Sequence, residues 1–146
     1  IMREKLKELH KQARLGRDAI ATPASGAALA AIQEGEVREN TDFDEAKVIT
    51  VVEKEAGKFK ESADAFAKAD RQEKVDEFTR CTELLTALLP AKLEESAYPD
   101  AVAKAITAVG ATSMRDMGKV MAELKKTHGS ALDSRIASSV VKETLT

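Results

Sequence analysis

The fold is decided by residues 49–66, which read ITVVEKEAGKFKESADAF. Apolar side chains recur there in alternating steps of three and four residues, at Ile49, Val52, Ala56, Phe59, Ala63 and Phe66. This spacing places them on one side of an α-helix over about five turns. Residues 48–52 alone could pass for a buried β-strand, but the stripe continues past them, and its length predicts a helix.

A second long helix is predicted directly after this one. Residues 69–71, Ala-Asp-Arg, form the predicted turn. Apolar positions then step again by three and four, at Val75, Phe78, Cys81, Leu85, Leu88 and Leu89. Pro90 is expected to end the helix. Two long helices joined by so few residues are expected to pack antiparallel, as a helical hairpin.

Two further helices are predicted upstream. The first, over residues 1–17, is amphipathic and basic, because it carries six Lys or Arg against two Glu. Thr22 and Pro23 are the residue types favoured at an N-cap and at the first helical position. They predict a second, alanine-rich helix over about residues 23–37.

A loop is predicted over residues 34–42, where acidic residues, Asn and Gly interrupt the helical periodicity. Thr41, with Asp44 three positions later, resembles a capping box. Asp44 and Glu45 also place negative charge at the positive end of the helix dipole. The long helix is therefore expected to begin here. The acids of this region suggest a divalent-cation site as an alternative, but their spacing matches no standard calcium loop.

Beyond residue 90 the predicted helices become shorter, which indicates a domain boundary. Gly110 and Gly129 follow two of these helices, at the position where glycine favours the left-handed backbone. Thr112 or Ser113 is expected to cap the helix between them.

The patterns together predict an all-α protein of two parts. The N-terminal part, residues 1–90, is a bundle of long helices. The C-terminal part, residues 94–146, is a small three-helix module.

Composition narrows the class of protein. The 146 residues are 43% hydrophobic and 33% charged, with a net charge of −2. This balance argues against a disordered chain and against a strong basic field over the whole protein. The apolar runs are far shorter than the roughly 20 residues of a membrane helix, so we expect a soluble, cytoplasmic protein. One cysteine alone excludes an intramolecular disulfide and a cysteine-built metal site.

Catalytic signatures are absent from the sequence, which has no glycine-rich phosphate loop, His-Glu-x-x-His or Gly-x-Ser-x-Gly. We therefore expect no catalytic residue, metal or cofactor. His10 and His128 are the only imidazoles, and His128 is expected to favour the negative end of a helix. Cys81 is expected to be a small buried apolar residue rather than a nucleophile.

Basic residues gather toward the C-terminus, where residues 110–146 carry six Lys or Arg against four acids. On a continuous helix Arg115, Lys119 and Lys126 would fall along one side, with Lys125 about 100° from Lys126. A phosphate backbone could bind such a ridge, although a solvated helix face has the same pattern. The methionines in this region suggest either an adaptable contact surface or core packing: Met114, Met117 and Met121.

The C-terminal half resembles the GatB/YqeY family, and specifically a stand-alone YqeY-like protein. The segments that carry the resemblance are Leu88-Leu89-Pro90-Ala91-Lys92-Leu93, Ala108-Val109-Gly110-Ala111, Asp116-Met117-Gly118-Lys119-Val120-Met121 and Ser138-Ser139-Val140-Val141-Lys142-Glu143-Thr144-Leu145. Segments 53–55 and 66–71 also occur in the expected order. The resemblance spans roughly residues 44–146 and is weaker over residues 1–43.

The resemblance implies a helical N-terminal domain followed by a domain like the tail of the GatB subunit of tRNA-dependent amidotransferases. In that enzyme the tail helps to recognise tRNA, while ATP use and amide formation belong to other parts. A family label of carbon–nitrogen ligase with glutamine as amido-N-donor is implied as well, but we find no residues in this chain to carry those steps.

The sequence therefore predicts a non-catalytic tRNA- or RNA-binding accessory protein, possible partners being tRNA and amidotransferase subunits. The predicted contact residues are Arg115, Gly118, Lys119, Lys125, Lys126 and Lys142. A helical Gly118 suggests either close approach of an RNA backbone or close packing of another helix. A protein-interaction module is the alternative function, and an amidotransferase-related activity is the third.

Overall fold

A computed structural model describes residues 1–146, and the chain is all-α, as predicted. About 80% of it is helical, with seven α-helices and no strand. The helices are α1 (Met2–Leu15), α2 (Ala21–Glu39), α3 (Glu45–Lys68), α4 (Gln72–Thr86), α5 (Tyr98–Val109), α6 (Met117–His128) and α7 (Ser134–Leu145). Short 3-10 turns lie at Glu95–Ala97, Met114–Asp116 and Gly129–Ala131.

The chain divides into two compact units, Ile1–Leu89 and Pro90–Thr146. The first unit contains α1–α4 around a core that includes Leu6, Val52 and Leu85. The second contains α5–α7 around a separate set of buried apolar residues. None of the helices combines the length and the apolar character needed to cross a bilayer.

The hairpin of α3 and α4 has the predicted helices and turn. Residues 48–52 are helical, because the apolar stripe extends well beyond them. The turn is closed by Asp70, whose φ of 56° is left-handed. Near it the rings of Phe66 and Phe78 stack with centroids 5.5 Å apart. α4 ends at Thr86, earlier than predicted, and tighter turns lead to Pro90 because a residue before proline disfavours the helical conformation.

The predicted start of α2 was wrong. α2 begins at Ala21, and Asp18 rather than Thr22 provides the cap: its Oδ1 accepts the amides of Ile20 at 3.0 Å and Ala21 at 2.9 Å. Pro23 lies within the first turn of α2. Backbone amides in the first turn have no hydrogen-bond partner within the helix, so the missing N–H of proline costs no helical hydrogen bond there.

The predicted loop over residues 34–42 was also wrong in its first half, because α2 continues to Glu39. Tertiary contacts hold this last turn. A side chain at Gly35 would collide with Phe43, whose ring atom Cε2 lies 2.7 Å from the position of a Cβ. Glu36 accepts a hydrogen bond from the amide of Phe43 at 2.8 Å.

The start of α3 is capped by Asp44 and not by Thr41. Asp44 Oδ1 accepts the amide of Lys47 at 2.9 Å. Glu45 instead reaches α1, where its carboxylate accepts the amide of Met2. The acids of this region thus cap and connect helices.

In the second unit, Gly110 and Gly129 have the predicted positive φ, 66° and 54°. The prediction that a Thr112 or Ser113 side chain caps the helix was wrong. Neither side chain caps it; instead, the carboxylate of Asp116 accepts a hydrogen bond through Oδ2 from the backbone amide of Thr112, at 2.9 Å. Tyr98 is fully buried, and its hydroxyl accepts the amide of Asp133 at 2.7 Å. This bond joins the starts of α5 and α7.

Candidate nucleic-acid interface

The α6 helix has one buried and one exposed side. Val120 and Leu124 are buried in the core of the second unit, and Met117 and Met121 pack against the same core. The methionines on α6 therefore serve core packing, while Met114 before the helix is 38% exposed. The opposite side of α6 faces solvent.

Lys119 and Lys126 lie on this exposed side, two helical turns apart. Their Cα atoms are separated along the axis by about 10 Å, and they differ in direction by about 20°. Lys119 Nζ is 3.9 Å from Asp116 Oδ1, yet its side chain is 71% exposed. Lys126 is exposed and has no acidic group within ion-pair distance. Both ammonium groups can therefore reach an external anion.

The last turn of α6 adds further positive charge through Lys125, and His128 lies at the same helix end. Lys125 is exposed and unpaired, and it projects about 100° around the helix from Lys126, as predicted. His128 is half-buried at the C-terminal end of the helix. The cation of Lys125 in this last turn interacts favourably with the helix dipole. Part of this charge thus also stabilises the helix end.

Arg115 is not aligned with the lysines in the predicted way. It lies in the 3-10 turn Met114–Asp116, before α6 begins, so the helical angles used for the prediction do not apply to it. Its side chain is nevertheless exposed and unpaired. Lys142 lies on a different helix, in the last turn of α7, and is also exposed and unpaired.

Gly118 is exposed, and a Cβ placed on it would meet no atom within 4 Å. Close packing of another helix of this chain was one predicted reason for this glycine, and that prediction was wrong. The glycine instead leaves open space beside Lys119, where an external backbone could approach.

Asp116 is one acidic group beside these lysines, and Glu123 is another, four residues after Lys119 and three before Lys126. The amide hydrogen bond from Thr112 holds the pKa of the Asp116 carboxyl below the usual range, with a further contribution from Ser113 and from Lys119. Asp116 is therefore ionised at neutral pH and partly offsets the charge of Lys119.

The other candidate residues of the sequence have structural roles. Cys81 is 7% exposed on the apolar side of α4, and burial raises the pKa of its thiol, as expected for a small buried residue. His10 Nδ1 is 2.9 Å from the hydroxyl of the fully buried Ser25. That hydroxyl donates to the carbonyl of Ala21 at 2.7 Å, so we assign the proton of their contact to His10. The pair joins α1 to α2.

A groove of about 410 Å³ between α5 and α6 was not predicted from the sequence. Its floor is formed by Leu124 and by small residues of α5, and His128 lies at one end. A pattern that could have predicted the groove is present in the sequence. Alanines recur there three or four residues apart, at positions 97, 101, 105 and 108. Their small side chains leave a space that larger side chains would fill.

A protein family described as Yqey-like protein matches residues 3–145. The chain belongs to this family. The matched residues include α1 and α2. The family match therefore also covers the N-terminal region before residue 44, where the resemblance seen in the sequence is weaker. No curated protein matches the chain.

Proposed function

We propose that this Yqey-like protein is a non-catalytic accessory protein that binds RNA, with tRNA as its partner, through the exposed side of α6. The observation that carries the proposal is that the solvent-exposed half of α6 combines an unpacked Gly118 with Lys119 and Lys126. Phosphate groups dominate the affinity of nucleic acids for proteins, and exposed lysines are suitable partners for them.

The residues have distinct roles in this proposal. Lys119 and Lys126 contact phosphates along one ridge, and Gly118 permits the backbone to approach the helix. Arg115 and Lys125 widen the positive surface on either end of the ridge, and Lys142 adds a contact from α7. No aromatic residue lies on this face of α6 to stack on bases, so the contacts position RNA rather than read its sequence.

The choice of tRNA rests on the resemblance to the tail domain of the GatB subunit. A connection to tRNA-dependent amidotransfer, with amidotransferase subunits as protein partners, belongs to the same proposal. We assign no catalytic residue, metal or cofactor in it.

The test is a titration of labelled tRNA with wild-type protein and the variant Lys119→Ala/Lys126→Ala at two salt concentrations. Each lost phosphate contact should flatten the log–log salt dependence of the binding constant by about 0.7 to 0.9, so the double variant should show a slope smaller by roughly 1 to 2. Its thermal stability should barely change, because both ammonium groups are exposed.

A matched control is Lys60→Ala/Lys68→Ala, which removes the same charge from exposed, unpaired positions on α3. It should bind tRNA like the wild type. Equal binding by both double variants, or salt-insensitive binding by the wild type, would count against the proposal.

A protein-interaction module is the second candidate function, and the groove between α5 and α6 favours it. Alanine side chains leave the groove open and give it an apolar floor, and Asp100 and Glu123 lie among its lining residues. If protein partners remain bound after nuclease treatment while tRNA is not retained at low salt, this second function would replace the first.

A further inference from the structure

The α1 helix carries a second strongly basic surface. Met2, Leu6 and Ala13 form its buried side. On the solvent side Lys7, Lys11 and Arg14 follow one another in steps of four and three residues. They form one stripe, the α1 stripe, about 10 Å long.

No acidic group forms an ion pair with the α1 stripe. Lys7, Lys11 and Arg14 are all exposed, and none has a carboxylate within ion-pair distance. Lys7 interacts at longer range with Glu4 and Glu36, and Glu8 accepts a hydrogen bond from Gln12 at 2.9 Å. Like charges three and four positions apart repel one another on a helix, so the three cations of the stripe do not stabilise one another.

The backbone after α1 provides an independent observation. Arg17 has a φ of 54°, in the left-handed region that favours glycine. Its amide donates to the carbonyl of Arg14, and the next amide donates to Ala13, which closes the helix end. Gly16, directly before it, has an ordinary right-handed φ of −82°. The chain thus carries an arginine where glycine fits the backbone better, and this side chain is exposed and unpaired.

We propose that the α1 stripe and Arg17 form a second binding surface for the phosphate backbone of RNA. This surface lies in the first unit and goes beyond the proposed function, which uses α6. Arg17, at the left-handed position after α1, extends the positive charge past the end of the helix.

The chemistry favours RNA over a lipid surface. A helix that binds a membrane buries its apolar side between lipids, but the apolar side of α1 is already occupied: Met2 is 2% exposed and Leu6 is 0% exposed in the core. The stripe has no aromatic side chain, so it contacts phosphates without sequence preference.

The first test uses the full chain and labelled bulk tRNA at two salt concentrations. Lys7→Ala/Lys11→Ala should weaken binding and flatten the log–log salt slope by roughly 1 to 2, whereas Lys60→Ala/Lys68→Ala should not. The α6 variant, measured in parallel, reports on the proposed function separately. Binding by the α1 variant that equals binding by the α3 control would overturn this inference and leave the α6 proposal standing.

The second test separates binding from folding at Arg17. Arg17→Gly should raise the thermal midpoint, because it relieves the left-handed backbone, and yet flatten the salt slope by about 0.7 to 0.9. Arg17→Lys should retain binding. Asn40→Gly, at another left-handed helix end, should leave tRNA binding unchanged.

Unchanged tRNA binding by Arg17→Gly would overturn the role of this residue. Binding of the wild type and of the α1 variant to vesicles of phosphatidylcholine and phosphatidylserine is measured for comparison. If the α1 variant loses binding to these vesicles while its tRNA binding equals that of the wild type, the assignment of RNA to this surface would be overturned.

Discussion

Gly35 and Gly57 both lie inside helices, but their surroundings give them opposite roles. At Gly35 a Cβ would lie 2.7 and 2.8 Å from two ring atoms of Phe43, while at Gly57 it would meet nothing within 4 Å. Phe43 is buried in the core of the first unit and has little room to move. The absence of a side chain at residue 35 is therefore what allows the chain to fold back onto α2.

We predict that Gly35→Ala destabilises the protein by about 1 to 3 kcal/mol, because overpacking outweighs the gain in helix propensity. Gly57→Ala is the matched control and should stabilise it by up to about 1 kcal/mol, the difference in propensity between glycine and alanine. Urea denaturation of both variants measures these free energies of unfolding. Stabilisation by both substitutions would contradict the packing of Phe43 against α2.

At the scale of elements, Asp18 connects the α1–α2 turn to α4. Its carboxylate accepts two hydrogen bonds from Arg80, the nearer at 2.5 Å, as well as the amides that cap α2. Arg80 first, and then the amides of Ala21 and Ile20, hold the pKa of this carboxyl well below its usual value of 3.8. The unfolded chain therefore takes up this proton at a higher pH than the folded protein does.

The contribution of Asp18 to stability should be fully present above about pH 4 and decline as the pH falls further, toward the lower pKa of the folded state. Asp18→Asn should be less stable than the wild type at pH 7, and the difference should narrow between pH 4 and pH 2. Chemical denaturation across this range measures it. If the difference in stability between Asp18→Asn and the wild type stays constant over this pH range, the charge of the carboxylate does not cause it.

Arg80→Gln is the matched variant for this ion pair. It removes the main cause of the lowered pKa while it leaves the capping amides of α2 in place. It should reproduce part of the loss at pH 7, and the double variant should lose less than the sum of the two single losses, because both changes break one interaction.

At the scale of the whole molecule, the two units have separate cores. Leu85 is buried in the core of the first unit and Leu124 in that of the second. Each core is assembled from residues of its own unit. The second unit is also small, and small domains have little stability to lose.

Leu124→Ala should cost about 2 to 5 kcal/mol and remove hydrogen-exchange protection from α5–α7, while α1–α4 remain protected. Leu85→Ala should have the converse effect. Exchange measured by mass spectrometry on the full chain distinguishes the two patterns. Equal loss of protection in both units from either variant would contradict the independence of the cores.

The features that depend only on neighbouring residues could be predicted from the sequence. The stripe from Ile49 to Phe66 sufficed for the long α3 helix, and Gly110 and Gly129 marked two helix ends, because helical periodicity and a left-handed backbone are local properties. The exposure of the lysines on α6 also followed, since Val120 and Leu124 define the opposite, buried side.

Tertiary structure alone decided the features in which a distant group overrides the local preference. α2 continues through a stretch rich in acids to Glu39 because Phe43 packs on Gly35 and Arg3 pairs with Glu36 at 2.8 Å. In the same way, only the packing of the second unit revealed that Gly118 faces open space. The physical reason is that burial and collision depend on which residues meet in space, and such pairs leave no periodic signal in the sequence.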